Sequence, residues 1–264
     1  MGKAKVIILR TAGTNCDKET SFAFERAGAA TELIHVNELS RMEKKFDDYT
    51  ILAIPGGFSY GDDIASGKIL ANELKFRLDE GLRKFIDDGK LIIGICNGFQ
   101  ILVKAGLLPD LAGDYQTIEA TLTLNDSNKF EDRWVYLKNS RAKCVWTNAI
   151  DKIMQLPVAH GEGKFIPKNK AVLEQLKKKG LIVFEYVNEF GRSAGYPDNP
   201  NGSVENIAGI CNTTGRIFGL MPHPERHINF YQNPRWTRDR KAKNGEGDGL
   251  AIFRNGVNFA KKYL

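Results

Sequence analysis

The stretch Leu91-Ile-Ile-Gly-Ile-Cys-Asn-Gly-Phe-Gln100 decides the fold of this chain. Leu91–Ile95 is a continuous apolar run of strand length, and a turn with the pattern G-x-C-x-G overlaps its end. A helical pattern then covers Asn97–Lys104. A strand that enters a glycine-flanked turn and leaves it as a helix is a building unit of α/β proteins.

The segments on both sides of this unit alternate between strand and helix patterns. Toward the N-terminus we predict strands at Lys5–Leu9, Glu32–Val36 and Thr50–Ile54, and helices at Asp17–Ala27 and within Leu70–Ile86. Toward the C-terminus we predict a helix at 169–179, a strand at Leu181–Val187, a hairpin of Ile207–Cys211 with Arg216–Met221, and a last helix whose apolar face runs from Leu250 to Ala260. The sequence therefore predicts an α/β fold, with a mostly parallel central sheet and helices on both faces.

The middle of the chain has a different pattern. Glu119–Leu124 and Arg133–Leu137 alternate between apolar and polar residues, which is typical of a half-exposed antiparallel pair. The segment from Glu189 to Asn206 is rich in Gly, Asn and Pro, and this predicts a surface loop. Because no break in composition and no internal repeat divides the chain, we predict a single domain over residues 1–264.

Composition excludes several classes of protein. The chain has 264 residues, of which 42% are hydrophobic and 27% are charged, as in an ordinary globular protein. No run approaches the roughly 20 apolar residues that a bilayer span requires. The 4 cysteines are widely spaced and fit neither a disulfide framework nor paired zinc ligands. We therefore expect no metal, no membrane partner and a reducing, cytoplasmic compartment.

The net charge of +6 does not indicate a nucleic-acid partner. Its 38 basic residues are interleaved with 32 acidic ones, which favours a solvated surface. The segment His227–Gly249 combines aromatic and basic side chains, but acids are interspersed there too. The residues concerned are Arg235, Trp236, Arg238, Arg240, Lys241 and Lys243, with the acids Asp239, Glu246 and Asp248. We expect a lid or a loop that docks a partner, rather than a site for single-stranded nucleic acid.

Cys96 lies at the centre of the deciding stretch, in the position of a nucleophile. Gly94 and Gly98 leave room for a sharp, strained turn that exposes Cys96 at the C-terminal edge of the sheet, where the amides of the next helix point at its sulfur. The alternative interpretation of a free cysteine is a small buried hydrophobe. That interpretation fits the other three cysteines, whereas the glycine spacing favours a nucleophile for Cys96.

A cysteine nucleophile requires a base, and His223 is the best candidate among the four histidines. It lies in Met-Pro-His-Pro-Glu-Arg, directly after a predicted strand, where Pro224 favours an extended or turn conformation. In an extended segment Glu225 projects to the same side as His223 and can bond one ring nitrogen while the other faces Cys96. The three residues then form a nucleophile, a base and an orienting group.

The segment Pro55-Gly-Gly-Phe-Ser-Tyr-Gly-Asp62 follows the strand predicted at 50–54. Adjacent glycines can turn backbone amides toward a developing oxyanion at little steric cost. We assign the oxyanion hole to the amides of Gly57 and Asn97. By itself the Gly-Gly pair would favour an ordinary loop. However, it follows the C-terminal end of a predicted parallel strand, and ligands bind at that edge of parallel sheets.

Three motifs together resemble one enzyme family. GICNGFQ at 94–100, PGGFSYGD at 55–62 and MPHPER at 221–226 are similar to the class I (triad) glutamine amidotransferases, and more narrowly to the glutaminase subunits of phosphoribosylformylglycinamidine synthase. The similarity continues in GTNCD at 13–17, AHGEG at 159–163, NPNGS at 199–203 and IAGICN at 207–212. It spans most of the chain.

The resemblance implies a role for each matching residue. Cys96 would attack the side-chain amide of glutamine, form a thioester and release ammonia, while His223 moves the protons and Glu225 orients His223. Glutamine-binding residues implied by the same resemblance are Gln100, His160, Gly161 and Glu162.

The resemblance also implies a partner. Ammonia would pass to a separate synthetase subunit that uses ATP and Mg²⁺, with a small bridging subunit as a further member of the complex. This chain has no Walker-type glycine-lysine motif, so we expect no cofactor of its own. Two alternatives are a freestanding Cys-His-Glu hydrolase and a non-catalytic regulatory relative, although such relatives lose a member of the triad.

Overall fold

A computed structural model describes residues 2–140, 142–150, 153–238 and 245–264. Its strands are β1 (Lys5–Arg10), β2 (Ala30–His35), β3 (Ile51–Ile54), β4 (Leu91–Ile95), β5 (Ala120–Thr123), β6 (Glu131–Asn139), β7 (Met154–His160), β8 (Lys164–Pro167), β9 (Ile182–Val187), β10 (Ile207–Cys211) and β11 (Ile217–Leu220). Its α-helices are α1 (Asp17–Arg26), α2 (Val36–Ser40), α3 (Lys68–Phe76), α4 (Asp79–Asp87), α5 (Asn97–Lys104), α6 (Lys170–Lys179) and α7 (Leu250–Tyr263).

Nine of these strands form one central sheet, in the order β2-β1-β3-β4-β11-β10-β9-β6-β7. The first five run parallel to one another, and each later strand runs antiparallel to its neighbours. Because β9 and β7 thereby point the same way as the parallel five, the sheet is mostly parallel, as the sequence predicts. β10 and β11 are the predicted hairpin.

The helices lie on both faces of this sheet. The connection from β1 through α1 to β2 moves along the sheet in one direction, and the connection from β3 through α3 and α4 to β4 moves in the other. Right-handed crossovers in opposite directions place their helices on opposite faces. α7 packs beside α1, where the rings of Phe24 and Phe253 meet edge to face with centroids 4.9 Å apart. The α/β fold with two covered faces is confirmed.

The register of the parallel strands brings three strand ends together. Ile54 at the end of β3 pairs with Gly94, and Leu220 at the end of β11 pairs with Ile95. β4 therefore ends between β3 and β11. The loops that follow these three strands, which carry Gly57, Cys96 and His223, meet at one edge of the sheet.

The predicted pairing in the middle of the chain is wrong. β5 pairs with β8 in a separate two-stranded sheet, whereas β6 lies between β7 and β9 in the central sheet. Alternating polarity indicates that one face of a strand is buried, but it does not identify the neighbouring strand. Two strands were not predicted, namely β7, an edge strand that accommodates Pro157, and the short β8.

Smaller differences concern helix boundaries. The helical region predicted within 70–86 consists of α3 and α4, which are separated at Arg77 and Leu78. The strand predicted to end at Val36 ends at His35, whose side chain caps α2. Among the described residues, no helix is both long and apolar enough to span a bilayer.

Candidate active site

Cys96 connects β4 to α5 in a strained conformation. Its φ is 54° and its ψ is −107°, a combination that is uncommon for a residue with a side chain. A Cβ atom on Gly98 would lie 1.9 Å from the carbonyl oxygen of Ile54, so only glycine allows α5 to start this close to β3. The turn therefore has the geometry of a nucleophile elbow. Cys96 is buried, however, at 5% exposed, so the predicted exposure at the sheet edge is wrong, because the Gly-Gly segment and the end of β7 pack against it.

The Gly-Gly segment lies directly beside this elbow. A Cβ atom on Gly56 would be 2.8 Å from Cε1 of His223 and 3.3 Å from Cβ of Cys96. Gly57 has a φ of 129°, which favours glycine. The next amide, that of Phe58, donates to the carbonyl of Gly13 over 3.0 Å and holds the segment against the loop after β1.

His223 and Glu225 form a buried pair behind Cys96. Nδ1 of His223 lies 2.6 Å from Oε1 of Glu225, and the two side chains are 2% and 0% exposed. Pro224 begins a single 3-10 turn that ends at Arg226, so the pair meets through a turn rather than through an extended segment. The backbone amide of His223 donates to the carbonyl of Pro157 over 2.8 Å and fixes the start of that turn.

The surroundings of His223 favour its protonated form. Burial alone would lower the pKa of the imidazole, but the Glu225 carboxylate and the sulfurs of Cys96 and Cys16 outweigh burial and raise the pKa well above its usual range. Because Nδ1 is bonded to Glu225, Nε2 is the nitrogen that remains for a thiol. Both Cys96 and Cys16 contact this ring.

His160 lies near His223, but its pKa is shifted in the opposite direction. Its ring is buried, and Nδ1 lies 3.2 Å from Oδ1 of Asn125. Burial, with the charge of His223 second, lowers the pKa of His160 to about 3, so the ring is neutral near pH 7. The preceding carbonyl, that of Ala159, is 3.8 Å from Sγ of Cys96, which places the end of β7 against the nucleophile.

A chain of amide groups joins the predicted glutamine-binding residues. The side chain of Gln100 donates to the carbonyl of Glu162 and accepts from Nδ2 of Asn97 over 3.2 Å. Nδ2 of Asn97 also donates to Oδ1 of Asp62 over 3.1 Å. Asn125 holds the AHGEG segment, because its backbone N–H donates to the carbonyl of Gly161 over 2.9 Å. The structure thus brings Gln100, Glu162 and Gly161 to the side of α5 that carries Cys96.

The position of Cys16 beside His223 was not predicted from the sequence. Its thiol is 1% exposed, donates to Oδ1 of Asn15 and accepts from Nη2 of Arg226, each over 3.2 Å. The GTNCD segment follows the C-terminal end of β1, at the same sheet edge as the other loops. That shared edge is the signal that could have placed Cys16 near His223.

Comparison with known proteins identifies the family. A family described as the CobB/CobQ-like glutamine amidotransferase domain matches residues 3–260. The chain belongs to this amidotransferase family. The phosphoribosylformylglycinamidine synthase subunit PurQ of Dehalococcoides mccartyi is 49% identical over 263 residues, which cover 99% of this chain and 100% of that protein. The subunit of the same name from Archaeoglobus fulgidus is 44% identical and covers 98% of this chain, with 97% of that protein matched.

Solved structures agree with this membership of the amidotransferase family. The structure of PurLQS from Thermotoga maritima contains a chain with a TM-score of 0.74 and 31% identity, covering 98% of this chain and 99% of that one. A glutamine amidotransferase from the same organism has a TM-score of 0.52 at 14% identity and supports the fold alone. The resemblance that the motifs indicate is confirmed.

Among the residues that the structure describes, one group has the composition of a metal site. Ligand atoms of Cys16, His223 and Glu225 all lie within 4.8 Å of one another. However, Glu225 already accepts a hydrogen bond from His223, and the guanidinium of Arg226 donates to Cys16. The positive charge of protonated His223 opposes a bound cation, so our prediction of no metal is unchanged.

The segment His227–Gly249 is described only in part. Asn229 forms an isolated bridge with Glu246, and Trp236 is 48% exposed. Residues 239–244, which include Arg240, Lys241 and Lys243, lie outside the described residues. The lid or docking role of this segment stays a prediction.

Proposed function

We propose that this amidotransferase is the glutaminase subunit of a phosphoribosylformylglycinamidine synthase. It hydrolyses glutamine to glutamate and ammonia, and delivers the ammonia to a synthetase subunit that makes formylglycinamidine ribonucleotide in purine biosynthesis. The observation that carries the proposal is the elbow at Cys96 beside the buried His223–Glu225 pair. Relatives of nearly full length that are named PurQ support the assignment.

The site residues act in two half-reactions. The sulfur of Cys96, whose proton His223 has already accepted on Nε2, attacks the side-chain carbonyl carbon of glutamine. His223 then donates that proton to the amide nitrogen, ammonia leaves, and a γ-glutamyl thioester remains on Cys96. In the second half, water attacks the thioester, His223 accepts a proton from the water and returns it to the departing sulfur. Glu225 keeps Nδ1 protonated and the ring oriented throughout.

Both half-reactions develop negative charge on the substrate oxygen. We assign its stabilisation to the amides of Gly57, in the loop after β3, and of Asn97, at the start of α5. The support is the approach of the Gly-Gly segment to the elbow, together with the position of Asn97 at the start of α5, where helix amides have no partner in the helix.

We assign recognition of the glutamine to Gln100, His160, Gly161 and Glu162. Their support is the hydrogen-bonded connection between α5 and the AHGEG segment at the nucleophile. His160 would act there as a neutral group, because its lowered pKa excludes a positive charge near pH 7.

The partner in this proposal is the synthetase subunit, where ATP and Mg²⁺ would bind. The match to a chain of PurLQS supports a complex with further subunits, of which a small bridging subunit is one candidate.

The proposal also includes a cytoplasmic location and a single domain over residues 1–264. The second point is supported by one family match over 3–260 and by the packing of α7 on α1.

The decisive experiment separates glutamine use from ammonia use. Cys96→Ala should abolish synthesis from glutamine in the reconstituted complex, but it should leave synthesis from added ammonium salts intact, because only ammonia production requires the sulfur. Cys144→Ala is the matched control at another buried cysteine and should retain both reactions. Equal loss of both reactions in Cys96→Ala would contradict the proposal.

A covalent probe tests the same assignment independently. A diazo-ketone analogue of glutamine should add its mass to Cys96 alone among the 4 cysteines. Labelling of Cys16 instead would show that the nucleophile has been misassigned. Fast hydrolysis of glutamine by the isolated chain, unaffected by a synthetase, would favour the freestanding hydrolase.

A further inference from the structure

Two thiols, rather than one, lie against the imidazole of His223. Sγ of Cys16 and Cβ of Cys96 are each 3.3 Å from the position that a Cβ atom on Gly56 would occupy, and Cε1 of His223 is 2.8 Å from it. Both cysteines therefore flank the position that a side chain on Gly56 would occupy, next to the ring of His223. The proposed reaction uses Cys96 and gives Cys16 no part.

The surroundings of Cys16 differ from those of an inert core cysteine. Nη2 of Arg226 donates to its sulfur over 3.2 Å, and Cys16 precedes the first residue of α1, where the helix dipole favours a negative charge. Burial and the charge of Glu225 raise the pKa of Cys16, whereas contacts with His223 and Arg226 lower it, and the pKa is raised on balance. Cys16 thus combines a protonated resting thiol with two neighbouring cations, the imidazolium of His223 and the guanidinium of Arg226, which would stabilise its thiolate.

We propose that Cys16 is a resolving thiol, which converts peroxide-oxidised Cys96 into a reversible Cys16–Cys96 disulfide. In the first step the sulfur of Cys96, deprotonated by His223, attacks one oxygen of a hydroperoxide. The O–O bond breaks, sulfur loses two electrons and becomes a sulfenic acid, and the peroxide is reduced to water or an alcohol. In the second step the sulfur of Cys16 attacks the sulfenic sulfur. The S–S bond forms, the S–O bond breaks, and hydroxide leaves as water with the proton of Cys16.

The disulfide has two consequences. It protects Cys96 from irreversible oxidation to sulfinic acid, because the sulfenic acid is consumed within the same pocket. It also removes the nucleophile until a thiol reductant restores it. The loss of glutaminase rests on the proposed function, whereas the cross-link itself rests only on the placement of the two cysteines.

The chain contains a natural control for this chemistry. Cys144 and Cys211 are also buried and also contact each other. Burial raises the pKa of Cys144 well above its usual range, and the contact with Cys211 raises it further. We expect this second pair to remain reduced under conditions that oxidise Cys96.

The experiment is peroxide treatment of the full chain, followed by blocking of free thiols, digestion and mass mapping. The wild-type chain should yield a peptide pair joined through Cys16 and Cys96, and a dithiol should reverse both the link and the loss of glutamine hydrolysis. Cys16→Ser should instead accumulate sulfinic acid on Cys96 and should not recover. Cys144→Ser should behave as the wild type.

Several outcomes would overturn the proposal. Sulfinic acid on Cys96 without a cross-link in the wild type would do so, as would reversible inactivation of Cys16→Ser equal to that of the wild type. A link between Cys144 and Cys211 alone would also contradict it. Cys16→Ala provides a second variant if the serine at this buried site disturbs folding. A Cys16–Cys96 link that leaves glutamine hydrolysis intact would uphold the modification site but overturn the proposed nucleophile.

Discussion

His160 and His223 show how position alone can divide the roles of two residues of one type. The carboxylate of Glu225 and the nearby sulfurs overcome the effect of burial at His223, whereas at His160 the charge of His223 adds to the effect of burial. The pKa values of the two imidazoles are therefore driven apart, as in pairs that serve as base and neutral donor. The raised pKa of His223 adds to the free energy of unfolding. This contribution is complete below the pKa that His223 has in the unfolded chain, near 6.5, and is lost as pH rises through its pKa in the folded chain.

The lowered pKa of His160 predicts a specific pH dependence of stability. Between pH 6.5 and about 3 the unfolded chain binds a proton at His160 that the folded chain does not, so this residue loses stabilising effect as pH falls. Relative to His160→Asn, the wild type should therefore lose about 1.4 kcal/mol in free energy of unfolding for each pH unit below pH 6. Urea unfolding of both proteins at several pH values measures this shift, and a constant difference would contradict it.

Glu225 provides a second test at the residue scale. Glu225→Gln removes the carboxylate that raises the pKa of His223, and its amide nitrogen can donate to Nδ1 and select the wrong tautomer. We expect kcat for glutamine to fall by up to about 10⁴-fold, while ammonia-dependent synthesis is retained. Equal kcat values for Glu225→Gln and the wild type would show that Glu225 does not orient the base.

At the scale of elements, the approach of α5 to β3 determines where the nucleophile lies. Gly98→Ala would gain about 1 kcal/mol in helix propensity, but its Cβ would meet the carbonyl oxygen of Ile54 at 1.9 Å. Because backbone must move to relieve this contact, we expect a net loss of about 1–3 kcal/mol in the free energy of unfolding and a displaced, inactive Cys96.

A matched glycine separates this effect from the substitution itself. A Cβ atom on Gly195 would meet nothing within 4 Å, so Gly195→Ala should change stability by less than about 0.5 kcal/mol. Chemical unfolding and glutamine hydrolysis of both variants measure the difference. An active Gly98→Ala protein of wild-type stability would show that α5 can shift without disturbing the elbow.

The sequence was most informative where one element follows another directly. The passage from β4 through Cys96 to α5 and the β10–β11 hairpin could be predicted, since each depends on residues close in the chain. The partner of β6 could not be predicted, because periodicity indicates a buried face and not the neighbour that covers it. For the same reason Cys16 escaped notice, since its contact with His223 links loops that are distant in sequence.

At the scale of the whole molecule, the loop that carries Gly57 also presents apolar side chains to solvent. Phe58 is 47% exposed and Ile64 is 74% exposed, although both follow a fully buried strand. Exposed apolar groups that adjoin an active site are typical of a surface that another subunit covers. A partner seated there would contact the same loop that we assign to the oxyanion hole.

This arrangement predicts that the synthetase controls the glutaminase. If the amide of Gly57 is correctly oriented only when the partner covers Phe58 and Ile64, the isolated chain lacks one oxyanion donor, and such a loss typically slows a reaction by about 10²–10³-fold. Adding the synthetase subunit together with ATP should therefore raise the rate of glutamine hydrolysis by about 10²–10³-fold. Ile64→Asp should weaken this activation without changing the slow hydrolysis by the isolated chain, because Ile64 is solvent-exposed there. Activity of the isolated chain within a few-fold of the complex would refute this control and would favour a hydrolase that acts alone.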